Sequence, residues 1–124
     1  MSALNQSAHA RGAAAEAYAA RHLVRAGYAI LARNYRGGGG EIDLVAQQGD
    51  EVVFVEVRAR QPGGLVSPEE SLTARKRERI LCAAAHYLQH TTSTEPPWRV
   101  DLIAIEIDVR GTPGRLTHLC HVLP

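Results

Sequence analysis

Two β-rich runs, Glu41–Gln48 and Glu51–Arg58, stand either side of a single dipeptide, Gly49-Asp50, and this spacing restricts the fold more than anything else in the chain. Gly at the first central position suits a two-residue type II′ hairpin turn. Such a turn sets the register: Gln48 faces Glu51, Val45 faces Phe54, Asp43 faces Glu56 and Glu41 faces Arg58. Side chains alternate along a strand, so these share one face while Ile42, Leu44, Val53, Val55 and Val57 occupy the other. Two acids therefore stand directly across from each other, with Cβ atoms about 4.5–5.5 Å apart. Like charges so placed destabilise a sheet, and a divalent cation removes that cost. Magnesium takes carboxylate oxygens at roughly 2.0–2.1 Å, and in phosphodiester hydrolysis it activates water and neutralises phosphate charge. Spacing alone favours a plainer reading, a solvated charged face in which Arg58 bridges the acids.

The rest of the chain supplies a frame for this hairpin. Its 124 residues suffice for one domain and not for two. Residues 1–10 read as a disordered polar tail and residues 11–124 as the single domain. Gly12–Ala26 has helical spacing of Ala13, Ala17, Ala20, Leu23 and Val24, with Gly27 at the C-cap position. Glu16 falls on the same face as Ala13, Ala20 and Leu23, which allows an acid aimed at the sheet as well as a snorkelling surface side chain. Tyr28–Tyr35 reads as a first strand, and Gly37–Gly40 as a loop. Ser67-Pro68-Glu69-Glu70 carries helix-start signals for a helix to Gln89, with a break near Ser71–Thr73. Trp98–Ile107 is apolar on both faces, as a covered central strand would be, and Arg115–Val122 reads as the last strand. The order α-β-β-β-α-β-β predicts a three-layer α/β fold, a mixed central sheet flanked by helices.

Charge and cysteine content narrow the function classes. The formal net charge is +1, so a nucleic-acid footprint has to be local. Arg58 and Arg60, then Arg75, Lys76, Arg77 and Arg79 at the start of the second helix, form such a local group. Helical runs of this kind are commonly solvated faces. Cys82 and Cys120 are too few and too far apart for a disulfide framework, and read as free thiols of a cytoplasmic protein. No apolar h-region opens the chain, and no apolar run reaches the roughly 20 residues of a membrane span. The four glycines do not form a phosphate-binding loop, since no Lys-Ser/Thr follows. Cys82, His86 and His90 share a helical stripe and Cys120-His121 lies near the end, but paired-cysteine zinc spacing is missing and a zinc site is not expected. Trp98 reads as a packing residue.

The segment Gly40-Glu41-Ile42-Asp43-Leu44-Val45, followed by Phe54-Val55-Glu56-Val57-Arg58-Ala59-Arg60, resembles the YraN-type family of uncharacterised bacterial proteins. Gly12-x-x-x-Glu16, Gly27-Tyr28, Asn34-Tyr35-Arg36, Lys76 and Arg99-Val100-Asp101 extend the resemblance over residues 11 to 122. It implies a restriction-endonuclease-like fold similar to that of archaeal Holliday-junction resolvases. In that superfamily an early helical Glu, an Asp and a Glu-x-Lys hold magnesium and activate water; the matching positions here are Glu16, Asp43, Glu56 and Arg58. The resemblance thus implies catalytic roles for those four, Mg2+ or Mn2+ held by Asp43 and Glu56, and DNA as partner. A protein handling two-fold symmetric junctions would be expected to dimerise. Arg58 departs from the pattern, because guanidinium stays protonated and is a poor base. Lys76, the only lysine, could take the missing place in space. A catalytically inactive nucleic-acid-binding or adaptor module on the same fold is the alternative.

Overall fold

The computed structural model describes residues 3–63, 67 and 69–123, with side chains from Gly12 onward. Its elements are α1 (Ala3–Arg25), β1 (Ala29–Gly37), β2 (Gly40–Gln48), β3 (Glu51–Arg60), a 3-10 turn (Glu69–Ser71), α2 (Ala74–Thr91), β4 (Trp98–Ile107) and β5 (Pro113–Leu119). The five strands form one sheet in sequence order, antiparallel except for the β3–β4 pair. That parallel pair requires a crossover, and α2 provides it. The expected three-layer α/β architecture is therefore the observed one.

Each helix covers one face of the sheet. Ala15, Ala19, Ala20 and Leu23 of α1 pack with Leu44, Ala46, Val53, Val55, Ile103, Ile105 and Ile107. Ile80, Ala83, Ala84 and Tyr87 of α2 pack with Ile42, Val45, Val52, Phe54 and Val100 on the opposite face. The buried stripe of α1 is displaced from the one expected: Ala13 is exposed and Val24 is 57% exposed. The helix also begins at Ala3 rather than Gly12, its first turns being built from residues of good helix propensity. It ends as expected on Gly27, whose φ is 95°. The amide of Tyr28 donates to the Leu23 carbonyl (2.9 Å) and that of Gly27 to Val24 (3.1 Å), the Schellman pattern. Among the described residues no helix is long and apolar enough to cross a membrane.

The break expected at Ser71–Thr73 is real. Ser67 Oγ accepts from the Glu70 amide at 3.2 Å, and Pro68 lies outside the described residues. After the 3-10 turn, Thr73 restarts the helix with Oγ1 accepting from the Lys76 amide. The glycine run, expected as a loop, is a tight hairpin instead. Gly37 pairs with Gly40 in the sheet, and Gly38 and Gly39 turn between them with φ of 61° and 80°. Positive φ at both central positions suits a type I′ turn, whose twist matches that of the strands.

A buried polar cluster ties the start of β4 to its surroundings. Asp101 is fully buried and accepts from Arg99 Nε (3.0 Å), from the His121 amide (3.1 Å) and from His118 Nε2 (2.8 Å). Arg99 also reaches Glu51, the Tyr28 hydroxyl (2.8 Å) and Gln48 Oε1 (3.2 Å). Burial would raise the Asp101 carboxyl, but hydrogen bonds from His118, Arg99 and the His121 amide hold it below the usual carboxylate range. Removing one partner from such a cluster leaves a charge uncompensated, which is why buried ion pairs are costly to break.

Candidate carboxylate site

The β2–β3 register is the one that Gly49-Asp50 dictates as far as Leu44–Val55, with Val45 opposite Phe54 and Gln48 opposite Glu51. Gly49 has a φ of 62°, as a type II′ turn requires. Beyond Val55 the expected pairs Asp43–Glu56 and Glu41–Arg58 are not ladder pairs. Here the Asp43 side chain replaces the backbone, and its Oδ2 accepts the Val57 amide at 2.8 Å.

The cause lies one strand away. The β1–β2 ladder runs from Ala32–Val45 to Gly37–Gly40 with one step missing, Asn34 opposite Asp43. Asn34 has a φ of 51°, a conformation that Asn tolerates better than most residues. Side-chain alternation inverts across this point. Ile42 thus packs on the α2 side with Val45, although simple alternation placed it with Leu44, Val53 and Val55. Asp43 sits at the inversion, aimed into the gap between the strands.

Four groups meet there. Asp43 and Glu56 line the same cleft, and each carboxyl acts on the other's titration. Burial and the neighbouring Asp43 push Glu56 up to about 8, against the attraction of Arg58 and Lys76. Asp43 is raised as well, mainly by burial, while the Val57 amide opposes the rise. With Glu56 raised to about 8, the pair holds a proton at neutral pH, the behaviour of two coupled carboxyls. Glu16 comes from α1; burial and Asp43 raise its carboxyl, against the Asn34 side chain, which lowers it. Lys76 comes from α2, lowered by burial and by Arg58.

Asp43, Glu56 and Lys76 border this cleft of about 130 Å³, lined also by Glu41, Arg79 and Ile80; Glu16, on the α1 side, is not part of its lining. Glu41, at its rim, pairs with Arg36 at 3.2 Å. Of the basic residues at the start of α2, Lys76 and Arg79 face the cleft, Arg75 is exposed, and Arg77 donates from Nε to the Leu72 carbonyl (3.0 Å). Arg58 and Arg60 are half-buried. Two contributors are not obvious from residue type, Asn34 and Gly40. A Cβ on Gly40 would stand 1.8 Å from the Arg79 carbonyl oxygen, so only glycine lets α2 lie this close to β2. The signal for Asn34 is its identity within a strand, where Asn is disfavoured.

Cysteine and histidine also come together elsewhere. Asp101, His118 and Cys120 place three donor atoms within 4.8 Å of one another, although no zinc-type spacing joins them in sequence.

Comparison with known proteins matches residues 15–105 to the family described as Uncharacterised protein family UPF0102. A UPF0102 protein of Cupriavidus necator is 47% identical over 117 residues, covering 94% of this chain and 84% of its own length. Another, from Chloroflexus aurantiacus, is 43% identical over 113 residues, covering 90% and 88%. A third, from Desulfitobacterium hafniense, is 43% identical over 103 residues, covering 82% and 85%. With its strand pair, its carboxylates and its second helix all inside the matched region, the chain belongs to the uncharacterised protein family UPF0102.

Proposed function

We propose that this protein is a metal-dependent endonuclease acting on DNA in the cytoplasm, branched or otherwise structured DNA being the favoured substrate. The observation that carries the reading is the Asp43–Glu56 pair, two partly buried carboxyls lining one cleft together with Glu41 and Lys76. Oxygen donors crowded at the cost of mutual repulsion are the donor set that a hard divalent cation satisfies. Asp43 and Glu56 would hold Mg2+ or Mn2+, with Glu16 as a third acid. The bound ion would supply Lewis acidity and neutralise charge on the phosphate.

The chain's own residues account for the remaining requirements. Arg58 cannot accept a proton, and stabilises phosphate charge instead. Lys76 stands across the cleft from Glu56 with its basicity reduced, as a lysine serving as proton acceptor needs. Arg58, Arg60, Arg75, Lys76, Arg77 and Arg79 would hold the DNA backbone, a local basic group on a nearly neutral protein. A two-fold symmetric junction would call for two copies of the chain.

The test is titration of the wild-type and Asp43→Ala proteins with Mn2+ by calorimetry, with and without a four-way DNA junction. Cleavage of junction, flap, nicked and linear DNA is then assayed. Saturable binding and cleavage in the wild type, both lost in Asp43→Ala while the fold is kept, is the expected result. No binding and no cleavage in any of these conditions would sink the reading. Arg58 in place of lysine favours the second reading, a DNA-binding module without chemistry. That module would show salt-sensitive binding dependent on Arg75, Lys76, Arg77 and Arg79, unchanged by Asp43→Ala.

A further inference from the structure

The β4–β5 ladder builds a second cluster on the α1 face, away from the cleft beside α2. His118 is paired with Ile103 on β4 and Leu119 with Leu102, and the same register carried one step past that last ladder pair brings Cys120 to the level of Asp101. His118 Nε2 stands 2.8 Å from Asp101 Oδ2, and Cys120 Sγ stands 3.9 Å from the same nitrogen. Asp101 is fully buried, while Cys120 is exposed, so the cluster opens to solvent at the sulfur.

An acid, an imidazole and a thiol in contact suggest a nucleophile relay, and the geometry excludes one. A relay needs the carboxylate on one ring nitrogen and the nucleophile on the other. Here both partners share Nε2, so the imidazole cannot pass a proton between them. Three different donor atoms converging on one point instead suit a metal ion. Zinc takes His nitrogen and carboxylate oxygen at about 2.0–2.2 Å and thiolate sulfur at about 2.3 Å, which sets neighbouring donors about 3.3–3.8 Å apart in a tetrahedron. The separations of 2.8 and 3.9 Å reach that range through side-chain adjustment of a few tenths of an ångström at each atom.

We propose that Asp101, His118 and Cys120 form a zinc site with three protein donors and a fourth position open to solvent. Arg99 is its outer support. Its Nε bonds both oxygens of Asp101, Oδ1 at 3.0 Å and Oδ2 at 3.3 Å, which fixes the carboxylate's orientation with Oδ2 beside the His118 nitrogen. The soft sulfur donor separates this site from the all-oxygen pair at Asp43 and Glu56, which suits magnesium or manganese. The site joins β4 to the end of β5, an edge strand otherwise held from one side only. It neither depends on nor implies the nuclease reading.

Cobalt(II) is the probe, because thiolate coordination gives it a sulfur-to-metal charge-transfer absorption that oxygen ligands cannot. Tag-free, reduced protein is titrated with Co2+ and then with Zn2+. The expected result is a charge-transfer band saturating at one ion per chain and abolished by Zn2+. It is kept in Cys82→Ser and in Asp43→Ala, and lost in Cys120→Ser and His118→Gln. Cys120 is exposed, so its serine variant keeps the fold, as circular dichroism would verify. A wild-type protein without the band, or a band that survives Cys120→Ser, would overturn the proposal.

Discussion

Gly40→Ala should lower the unfolding temperature by about 10–20 °C, a loss on the order of 3–5 kcal/mol. The added methyl carbon would lie 1.8 Å from the Arg79 carbonyl oxygen, 2.8 Å from its carbon and 3.2 Å from the Ala83 nitrogen. All three atoms belong to the backbone of α2, so no rotamer change relieves the clash. The helix has to lift off β2, opening the contacts of Ile80 and Ala83 with Ile42 and Val45. That exceeds the roughly 1–3 kcal/mol of ordinary overpacking, where side chains can give way. It is also a large share of the roughly 5–15 kcal/mol that holds a domain together. Gly39→Ala is the control. Gly39 has a φ of 80° and open space within 4 Å of where a Cβ would stand, so its substitution costs only the about 1–2 kcal/mol of left-handed strain. Urea unfolding of both variants decides the matter, and equal losses would show that close helix–sheet contact at Gly40 is not needed. The consequence for the site is direct, since lifting α2 carries Lys76 and Arg79 away from Asp43 and Glu56.

That contact explains where sequence reasoning reached and where it stopped. Gly49-Asp50 determines the hairpin register because a two-residue turn leaves no freedom, and the ladder follows it from Gln48–Glu51 to Leu44–Val55. Trp98–Ile107 is equally clear, as apolar residues on both faces have no other stable place than between two helical layers. Simple alternation failed at Ile42, because it takes every residue of a strand to be extended. Asn34 breaks that rule one strand away, and the inversion is visible only once β1 is paired with β2. Four consecutive glycines resemble a loop by composition, yet two of them form the turn and Gly40 is selected for what it lacks, a Cβ facing α2. Asp101, His118 and Cys120 come together through β-ladder register, which no spacing rule along the chain encodes. Lys76 is the informative case. It reaches the cleft because the second helix is capped at Thr73 and seated on Gly40, two local features that jointly bring it there.

Glu56→Gln should make the protein more stable in alkaline solution and leave it unchanged in acid. Glu56 has a folded-state pKa of about 8 against an ordinary value of 4.5. Between those values the folded chain keeps a proton that the unfolded chain has released, so stability falls as pH rises and levels off above about 8. The sign is opposite to that of an ion-paired carboxylate, and Asp43, raised in the same way, adds to it. At about 1.4 kcal/mol for each pH unit, the window from 4.5 to about 8 corresponds to about 5 kcal/mol at most, part of which solvent screens at this partly exposed side chain. The Gln amide cannot ionise. The variant should therefore match wild type near about pH 4 and exceed it by about 2–4 kcal/mol near about pH 9, with its slope between them reduced. Thermal unfolding across that range measures both curves, and parallel curves would refute the proton held by the pair. Mn2+ should close the gap by stabilising wild type at alkaline pH far more than the variant, because binding to the folded state adds to its stability. On the proposed endonuclease reading, cleavage should be lost in the same variant, so that stability is gained at the expense of activity.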